Sequence, residues 1–187
     1  MKNILVTLVL CFSSFSMAFS QTFSLTNENF KSIDNPDQDY TIINVDGKTK
    51  NEVYLLAKSF INTYYNNPKY VSNDIENEQI VIDAVGSESM RVIYRLSGPN
   101  IWRLEYKIEL LFKDNKILFR PIFKRLDNTD DTSTVALISG GFGSHGVFDK
   151  KGKPNKKSGN EKIDSEINKI FNDFSSGIKK SITSSDW

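Results

Sequence analysis

The stretch WRLEYKIELLFKDNKILFRPIFKRL, residues 102–126, decides the fold. Its first half alternates apolar and charged side chains, which is typical of a strand with one buried face. The apolar side chains of the expected inner face are Trp102, Leu104, Tyr106, Ile108, Leu110 and Phe112. The charged side chains of the expected outer face are Arg103, Glu105, Lys107 and Glu109. The alternation predicts a half-buried antiparallel strand.

The same stretch predicts a hairpin. Asp114-Asn115 is a favourable two-residue turn, and a second strand runs from Lys116 to Leu126. The apolar pairs of the expected register are Phe112 with Ile117, Leu110 with Phe119, and Tyr106 with Phe123. The charge pairs are Glu109 with Arg120 and Glu105 with Lys124. Because a shift by one residue would spoil both sets of pairs, the two patterns predict one register.

A strand and a helix precede this hairpin. The strand runs from Tyr40 to Val45 and ends at Asp46-Gly47. The segment Thr49-Lys50-Asn51-Glu52 is a capping box, which marks the start of a helix. Apolar side chains then recur every three or four residues, at Val53, Leu56, Ala57, Phe60, Ile61 and Tyr64. The helix is expected to end at Asn66-Asn67-Pro68.

The remaining elements complete a two-layer domain. We expect strands over Glu78–Val85 and Ser89–Ser97, and a flexible loop over 127–159 with one β-prone run, Thr134–Ile138. A closing helix, capped by Asn160 or Ser158, has apolar residues at helical spacing: Ile163, Ile167, Ile170, Phe171, Phe174 and Ile178. The order β-α-β-β-β-β-loop-α predicts a single α+β domain over 40–182, an antiparallel sheet with helices on one face. Residues 21–39 are expected to be an irregular lead-in, and 183–187 a tail.

The first 20 residues predict export. Lys2 precedes a short apolar run from Ile4 to Phe12, and small residues precede Gln21, as in a cleaved signal peptide. We therefore expect a periplasmic or extracellular protein without a transmembrane segment in the mature chain. Cys11 is the only cysteine and lies in this leader. Disulfides, thiol catalysis and thiolate metal sites are thereby excluded from the mature chain.

The charge balance argues against nucleic acid as a partner. Of the 24 basic residues, the leader contains only Lys2, and it contains none of the 23 acidic residues, so the mature chain carries 23 of each. A chain with zero formal charge lacks the positive field that drives nonspecific nucleic-acid binding.

A glycine-rich stretch, GGFGSHG at residues 140–146, contains the G-x-G-x-x-G string of dinucleotide-binding loops. That motif requires a helix to begin at its end, and the following residues Val147 to Pro154 cannot form stable first turns. The only histidine, His145, has no identifiable second group to orient it. Asp127, Asp130 and Asp131 lack the glycine and glutamate of a calcium loop. We expect no catalytic residue, no cofactor and no metal site.

The segment from Tyr40 to Leu126 resembles a family of exported bacterial domains of unknown function with a TBP-like fold, named for the TATA-box-binding protein. The resemblance rests on FSLTNENF, YTIINVDGKTKNEVYLLAKSFINTYYNNPKYV, ENEQIVIDAV and EYKIELLFKDNKILFRPI. It implies a curved antiparallel sheet with helices on one side. It does not imply DNA binding, because fold and function separate freely, and it assigns no role to any residue.

Two hypotheses for function remain open, and neither is an enzyme. The first is a binding or interaction module of the cell envelope with an unknown protein partner. Its contact surface would be the charged sheet face or the 127–159 loop, including Arg103, Lys107, Lys150 and Lys151. The second is a carrier of a small apolar ligand between helices and sheet. Its cavity would be lined by Phe60, Tyr64, Trp102 and Tyr106.

Overall fold

The computed structural model describes residues 21–94, 98–128, 134–140, 145–155 and 160–183, with the side chains of these ranges except those of 87–94, 98–101, 182 and 183. The strands are β1 Phe23–Thr26, β2 Asn29–Ser32, β3 Thr41–Asn44, β4 Ser72–Ile75, β5 Gln79–Tyr94, β6 Gly98–Lys113, β7 Lys116–Asn128, β8 Thr134–Ile138 and β9 Gly146–Phe148. The helices are α1 Lys50–Tyr64, α2 Pro68–Val71 and α3 Asn160–Thr183.

The main sheet has the strand order β4-β5-β6-β7-β8-β9, and β3 also pairs with β7. Its pairs are antiparallel except β8 with β9, which are parallel. The alternation predicted for β6 is confirmed, because all six apolar side chains expected on its inner face are buried. Helices α1 and α3 pack on this inner face and against each other. The predicted α+β fold with helices on one face is thus confirmed.

The predicted start of α1 is also confirmed. The Thr49 hydroxyl accepts a hydrogen bond from the Glu52 amide, and the Glu52 carboxylate accepts one from the Thr49 amide at 2.8 Å. These bonds to Thr49 lower the pKa of Glu52 from its ordinary value. Val53, Tyr54, Ala57 and Ile61 form the buried stripe that follows.

The register of the β6–β7 hairpin is confirmed except at one pair. The three apolar pairs and the pair Glu109 with Arg120 lie opposite each other as expected. A β-bulge between Glu105 and Tyr106 then shifts the register, so that Glu105 lies opposite Arg125. The predicted pair of Glu105 with Lys124 is therefore wrong, because a bulge inserts one residue that a regular alternation does not reveal.

The two strands predicted over Glu78–Val85 and Ser89–Ser97 are wrong as separate elements. The chain from Gln79 to Tyr94 is one strand, β5, with a bulge between Val85 and Ser89. The lack of a side chain at Gly86 allows the bulge to lie close to α3, because a Cβ there would lie 2.8 Å from Oε1 of Glu166. Residues 95–97 lie outside the described chain.

The irregular lead-in predicted for 21–39 is wrong over residues 23–32, which form the antiparallel hairpin of β1 and β2. Phe23, Leu25 and Phe30 enter the core. The hairpin is held by α3, where the Asn168 side chain accepts from the Phe23 amide at 2.9 Å and the Asp164 carboxylate accepts from the Leu25 amide at 2.7 Å. Because these partners lie far apart in sequence, local pattern does not reveal the hairpin.

The flexible loop predicted for 127–159 is wrong at residues 127–128 and 146–148, which lie in strands. Residues 127–128 end β7, the β-prone run forms β8 as predicted, and 146–148 form β9. Val147 and Phe148 are buried in the core. Residues 129–133, 141–144 and 156–159 lie outside the described chain, as do the predicted signal peptide and the tail beyond 183.

Candidate functional site

The residues predicted to line an apolar cavity lie at two places. Trp102 and Tyr106 lie on the inner face of β6, and each is at most 2% exposed. The Tyr106 hydroxyl oxygen lies 3.2 Å from that of Tyr65, the residue that caps α1. This contact closes the space between the end of α1 and the sheet.

Phe60 and Tyr64 lie where α1 meets α3. Their rings stack at a centroid distance of 5.1 Å, and Phe60 meets Phe174 edge-on at the same distance. The Tyr64 hydroxyl donates to Asp173 at 3.2 Å. Gly177 lets the helices approach, because a Cβ there would lie 2.3 Å from the Phe60 ring.

The tyrosines of this region are proton donors. Burial raises the pKa of Tyr65 to about 12, and burial likewise raises the pKa values of Tyr64 and Tyr106 above the ordinary value. Their phenols therefore stay neutral at physiological pH and cannot act as bases. The buried Glu166 lies near enough to add to all three shifts. The arrangement suits a packed helix–sheet contact.

The charged residues of the outer sheet face form ion pairs across strands. Arg125 pairs with Glu105 at 3.0 Å, and Lys124 pairs with Asp83 at 2.8 Å. Arg103 and Lys107 lie on this face of β6, opposite Asp127 and Ile122 of β7. These two residues of the predicted interaction surface are thus placed on the face that was expected.

Lys150 and Lys151 lie elsewhere, in an exposed turn after β9. The Asp149 carboxylate accepts hydrogen bonds from the Lys151 and Lys153 amides and shapes this turn. Gly152, at φ +75°, approaches the side chain of Asn27 in the β1–β2 turn. The structure therefore does not bring the two lysines together with Arg103 and Lys107.

The glycine-rich stretch ends in a strand. Gly146 begins β9, and its carbonyl accepts from the Asn155 side chain at 2.8 Å. A Cβ on Gly146 would lie 2.1 Å from the Ser139 amide nitrogen, so the glycine allows β9 to approach β8 closely. Residues 141–144 lie outside the described chain.

Among the described residues, no group of three or more His, Cys, Asp and Glu is arranged to hold a metal ion. A search of the same residues finds no helix with the length and hydropathy needed to span a membrane.

The sequence analysis missed an apolar row on the outer face. Cross-strand pairing aligns one residue from each of five neighbouring strands. These residues, called the outer row below, are Ile42, Leu118, Leu111, Gln79 and Ile75. Ile42, Leu111 and Ile75 are 42%, 37% and 58% exposed. Ile42, Leu118 and Leu111 are adjacent, with Leu118 half-buried, and the polar Gln79 separates them from Ile75. A group of adjacent apolar residues at the surface commonly marks a contact surface.

One end of the outer row forms a groove of about 370 Å³. Tyr40, Ile42, Leu111 and Leu118 give it apolar walls, and Lys113 and Lys116 lie at its rim. Arg120 lies over the Tyr40 ring, 5.8 Å from its centroid. A doubling of apolar residues, Ile42-Ile43, Leu110-Leu111 and Ile117-Leu118, is the sequence signal that could have located the row, because it makes both faces of a strand apolar.

The fold is similar to that of solved bacterial proteins. A TBP-like protein from Parabacteroides distasonis matches with a TM-score of 0.53 at 12% identity, over 75% of this chain and 90% of that one. A DUF4468 family protein from Bacteroides ovatus matches with a TM-score of 0.49 at 12% identity, over 74% and 84%. The chain has a TBP-like fold. The fold implied by the sequence resemblance is thereby confirmed. No protein-family model matches the chain, and no curated protein matches its sequence.

Proposed function

We propose that the protein is a non-enzymatic interaction module of the cell envelope, and that its contact surface is the outer face of the sheet around the outer row. The observation that carries this proposal is the row itself. Helices α1 and α3 pack on the inner face, and within the described chain no helix covers the outer one. Four of the five aligned side chains are apolar, and three of these, Ile42, Leu111 and Ile75, stay exposed next to charged ones. Such an arrangement is typical of a protein contact surface.

The location in the envelope rests on the first 20 residues. A charged start, a short apolar run and small residues before Gln21 support export.

The carrier hypothesis stays a prediction. Its four expected lining residues contact neighbours of their own, Tyr106 at Tyr65 and Phe60 at Phe174 and Gly177. These contacts favour a filled core over a ligand cavity, and they support the interaction module.

Site-specific photo-cross-linking in the protein's own host tests the proposal. A photoreactive amino acid replaces Leu111 on the outer row, and in a matched control it replaces Leu55, which is 52% exposed on α1. We expect a discrete cross-linked protein product from position 111 and none from position 55. Equal patterns at the two positions, or no product at position 111, would contradict the proposed surface.

A further inference from the structure

One rim of the outer row carries an uncompensated pair of lysines. Lys113 and Lys116 lie directly opposite each other across the β6–β7 hairpin, and both are exposed. Like charges directly opposite each other destabilise a sheet. Within the described part of the chain, neither lysine forms an ion pair. This rim therefore offers two positive charges to an external partner.

The opposite rim carries excess negative charge. Arg120 pairs with Glu109 at 3.2 Å and with Asp39 at 3.2 Å. Two carboxylates share one guanidinium, so the group keeps a net charge of one negative unit. The Asp39 side chain is 49% exposed, which leaves it accessible to a partner.

The two rims complement each other under a two-fold rotation. Consider two copies whose outer sheet faces lie opposite each other, with a two-fold axis parallel to the outer row and midway between the sheets. Rotation about this axis places the outer row of one copy against that of the other. The lysine rim of each copy then faces the acidic rim of the other. Successive outer-face residues of a strand lie about 6.8 Å apart, so each rim overlies the opposite rim of the other copy. Such an arrangement is the aligned packing that two sheets commonly adopt, about 10 Å apart.

We propose that a second copy of this chain docks on the outer row, with Lys113 of each copy facing Glu109 of the other, and Lys116 facing the net negative group in which Glu109 and Asp39 flank Arg120. The inference rests on the proposed function, because it names the partner of that same surface. It is favoured over docking of an unrelated protein because the two rims of one copy match each other. An isologous interface needs this self-complementarity, whereas an unrelated partner does not.

The size of the surface predicts a weak dimer. Three rows across five strands cover about 500 Å² per copy at ordinary strand and residue spacings. A standard stable interface buries about 800 Å² per partner. The dimer is therefore concentration-dependent and loses affinity in high salt, because exposed rim charges are screened.

Sedimentation velocity of the mature protein, from micromolar to millimolar concentration, tests the dimer. We expect a monomer–dimer equilibrium that weakens by about tenfold or more in the acidic variant, Lys113→Glu with Lys116→Glu. The basic variant, Asp39→Lys with Glu109→Lys, is expected to lose self-association to a similar degree. An equimolar mixture of the two variants restores the dimer, because each rim then faces one of opposite charge.

A control separates rim contacts from bulk charge. Lys150→Glu with Lys151→Glu changes the net charge as the acidic variant does, but in the turn after β9. It is expected to keep the wild-type equilibrium and to form no mixed dimer with the basic variant. Leu111→Glu, which leaves both rims intact, is expected to abolish self-association and serves if the basic variant fails to fold.

The possible results separate this inference from the proposed function. A wild-type protein that stays monomeric at millimolar concentration overturns the second copy as partner. If position 111 nevertheless cross-links to a different protein in the host, the proposed contact surface stands. A mixture of the two charge variants that stays monomeric also overturns the inference. Absence of both self-association and cross-linking removes the two proposals together.

Discussion

Gly146 shows how a motif-like glycine can serve backbone packing. Its nearest neighbours are backbone atoms of Ser139, Ile138 and Phe148, which no side-chain rotation can move away. We expect Gly146→Ala to lower the free energy of unfolding by about 3 kcal/mol, because the added methyl group overpacks the contact between β8 and β9. Urea denaturation measures the change.

Gly47 provides the matched control. It has φ +74°, but a Cβ there would meet open space. Gly47→Ala is expected to cost only about 1 kcal/mol, from backbone strain alone. Equal costs for the two substitutions would contradict the close approach at Gly146.

Asp164 and Asp74 are expected to contribute to the free energy of unfolding with opposite dependence on pH. Burial raises the pKa of Asp164 above 3.8, and hydrogen bonds from Leu25 and Ser24 offset this only in part. The favourable contribution of this carboxyl is therefore complete below pH 3.8 and is lost as the pH rises through the folded-state pKa. Asp164→Asn keeps an acceptor for the Leu25 amide, so its stability relative to wild type should increase as the pH rises from about 4 to about 7.

At Asp74 the pKa shift has the opposite direction. Hydrogen bonds from Lys58, at 2.7 Å, and from Tyr54 lower the pKa of Asp74 below 3.8. Its contribution is present above that value and is lost as the pH falls through the folded-state pKa. Asp74→Asn should cost about 1 kcal/mol at neutral pH, since the pair is partly exposed, and less in acid. Thermal unfolding of Asp164→Asn and Asp74→Asn between about pH 4 and pH 7 measures how the stability of each variant, relative to wild type, changes with pH. The same change with pH in both variants would contradict the opposite pKa shifts.

At the scale of elements, the open edge of β7 is covered by a side chain. Strand β3 pairs with β7 up to Phe119, and β8 joins it at Leu126. Between them, the Asn29 side chain accepts from the Phe123 amide at 2.7 Å and donates to the Phe123 carbonyl at 3.1 Å. The amide of Asn29 thus takes the place of a neighbouring strand and links the β1–β2 hairpin to the main sheet.

Replacement of Asn29 tests this link. Asn29 has φ +87°, a conformation that glycine adopts easily, so Asn29→Gly keeps the positive φ. It removes the two bonds to Phe123 and the bond that the Asn29 side chain accepts from the Phe30 amide at 2.9 Å. We expect a loss of about 3 kcal/mol, at roughly 1 kcal/mol for each bond. Asn77→Gly is the control, because Asn77 also has positive φ, +61°. It should change stability by less than about 0.5 kcal/mol, and an equal loss in both variants would contradict the edge contact.

The elements that were predicted correctly are those in which apolar residues recur at the regular spacing of a strand or of a helix. Strand β6 alternates apolar and charged side chains from Trp102 to Leu110, and α1 has a capping box followed by helical spacing. The bulge opposite Glu105 adds one residue, Lys124, and the bulge in β5 adds two residues between Val85 and Ser89. Both were missed because a regular alternation does not reveal inserted residues. The β1–β2 hairpin was missed because its partners on α3 lie about 140 residues away in sequence.

At the scale of the whole molecule, the proposed contact surface depends on the alignment of residues across strands. Ile42, Leu118 and Leu111 are ordinary apolar residues in their own strands, and only the sheet register places them side by side. The charged face was predicted from single strands, and that pattern gave Arg103 and Lys107 but not the outer row. The alternation of residues within single strands therefore predicted which sheet face is charged. The outer row could be located only from the pairing register between strands.

Native mass spectrometry of the mature protein, purified from its own host's envelope, tests the interaction module most directly. Wild type and Leu111→Glu are compared. We expect wild type to carry the added mass of a protein partner, as a second copy or another chain, and the variant to lack it. The same species in both proteins, or a small-molecule adduct that disappears on organic extraction, would contradict it.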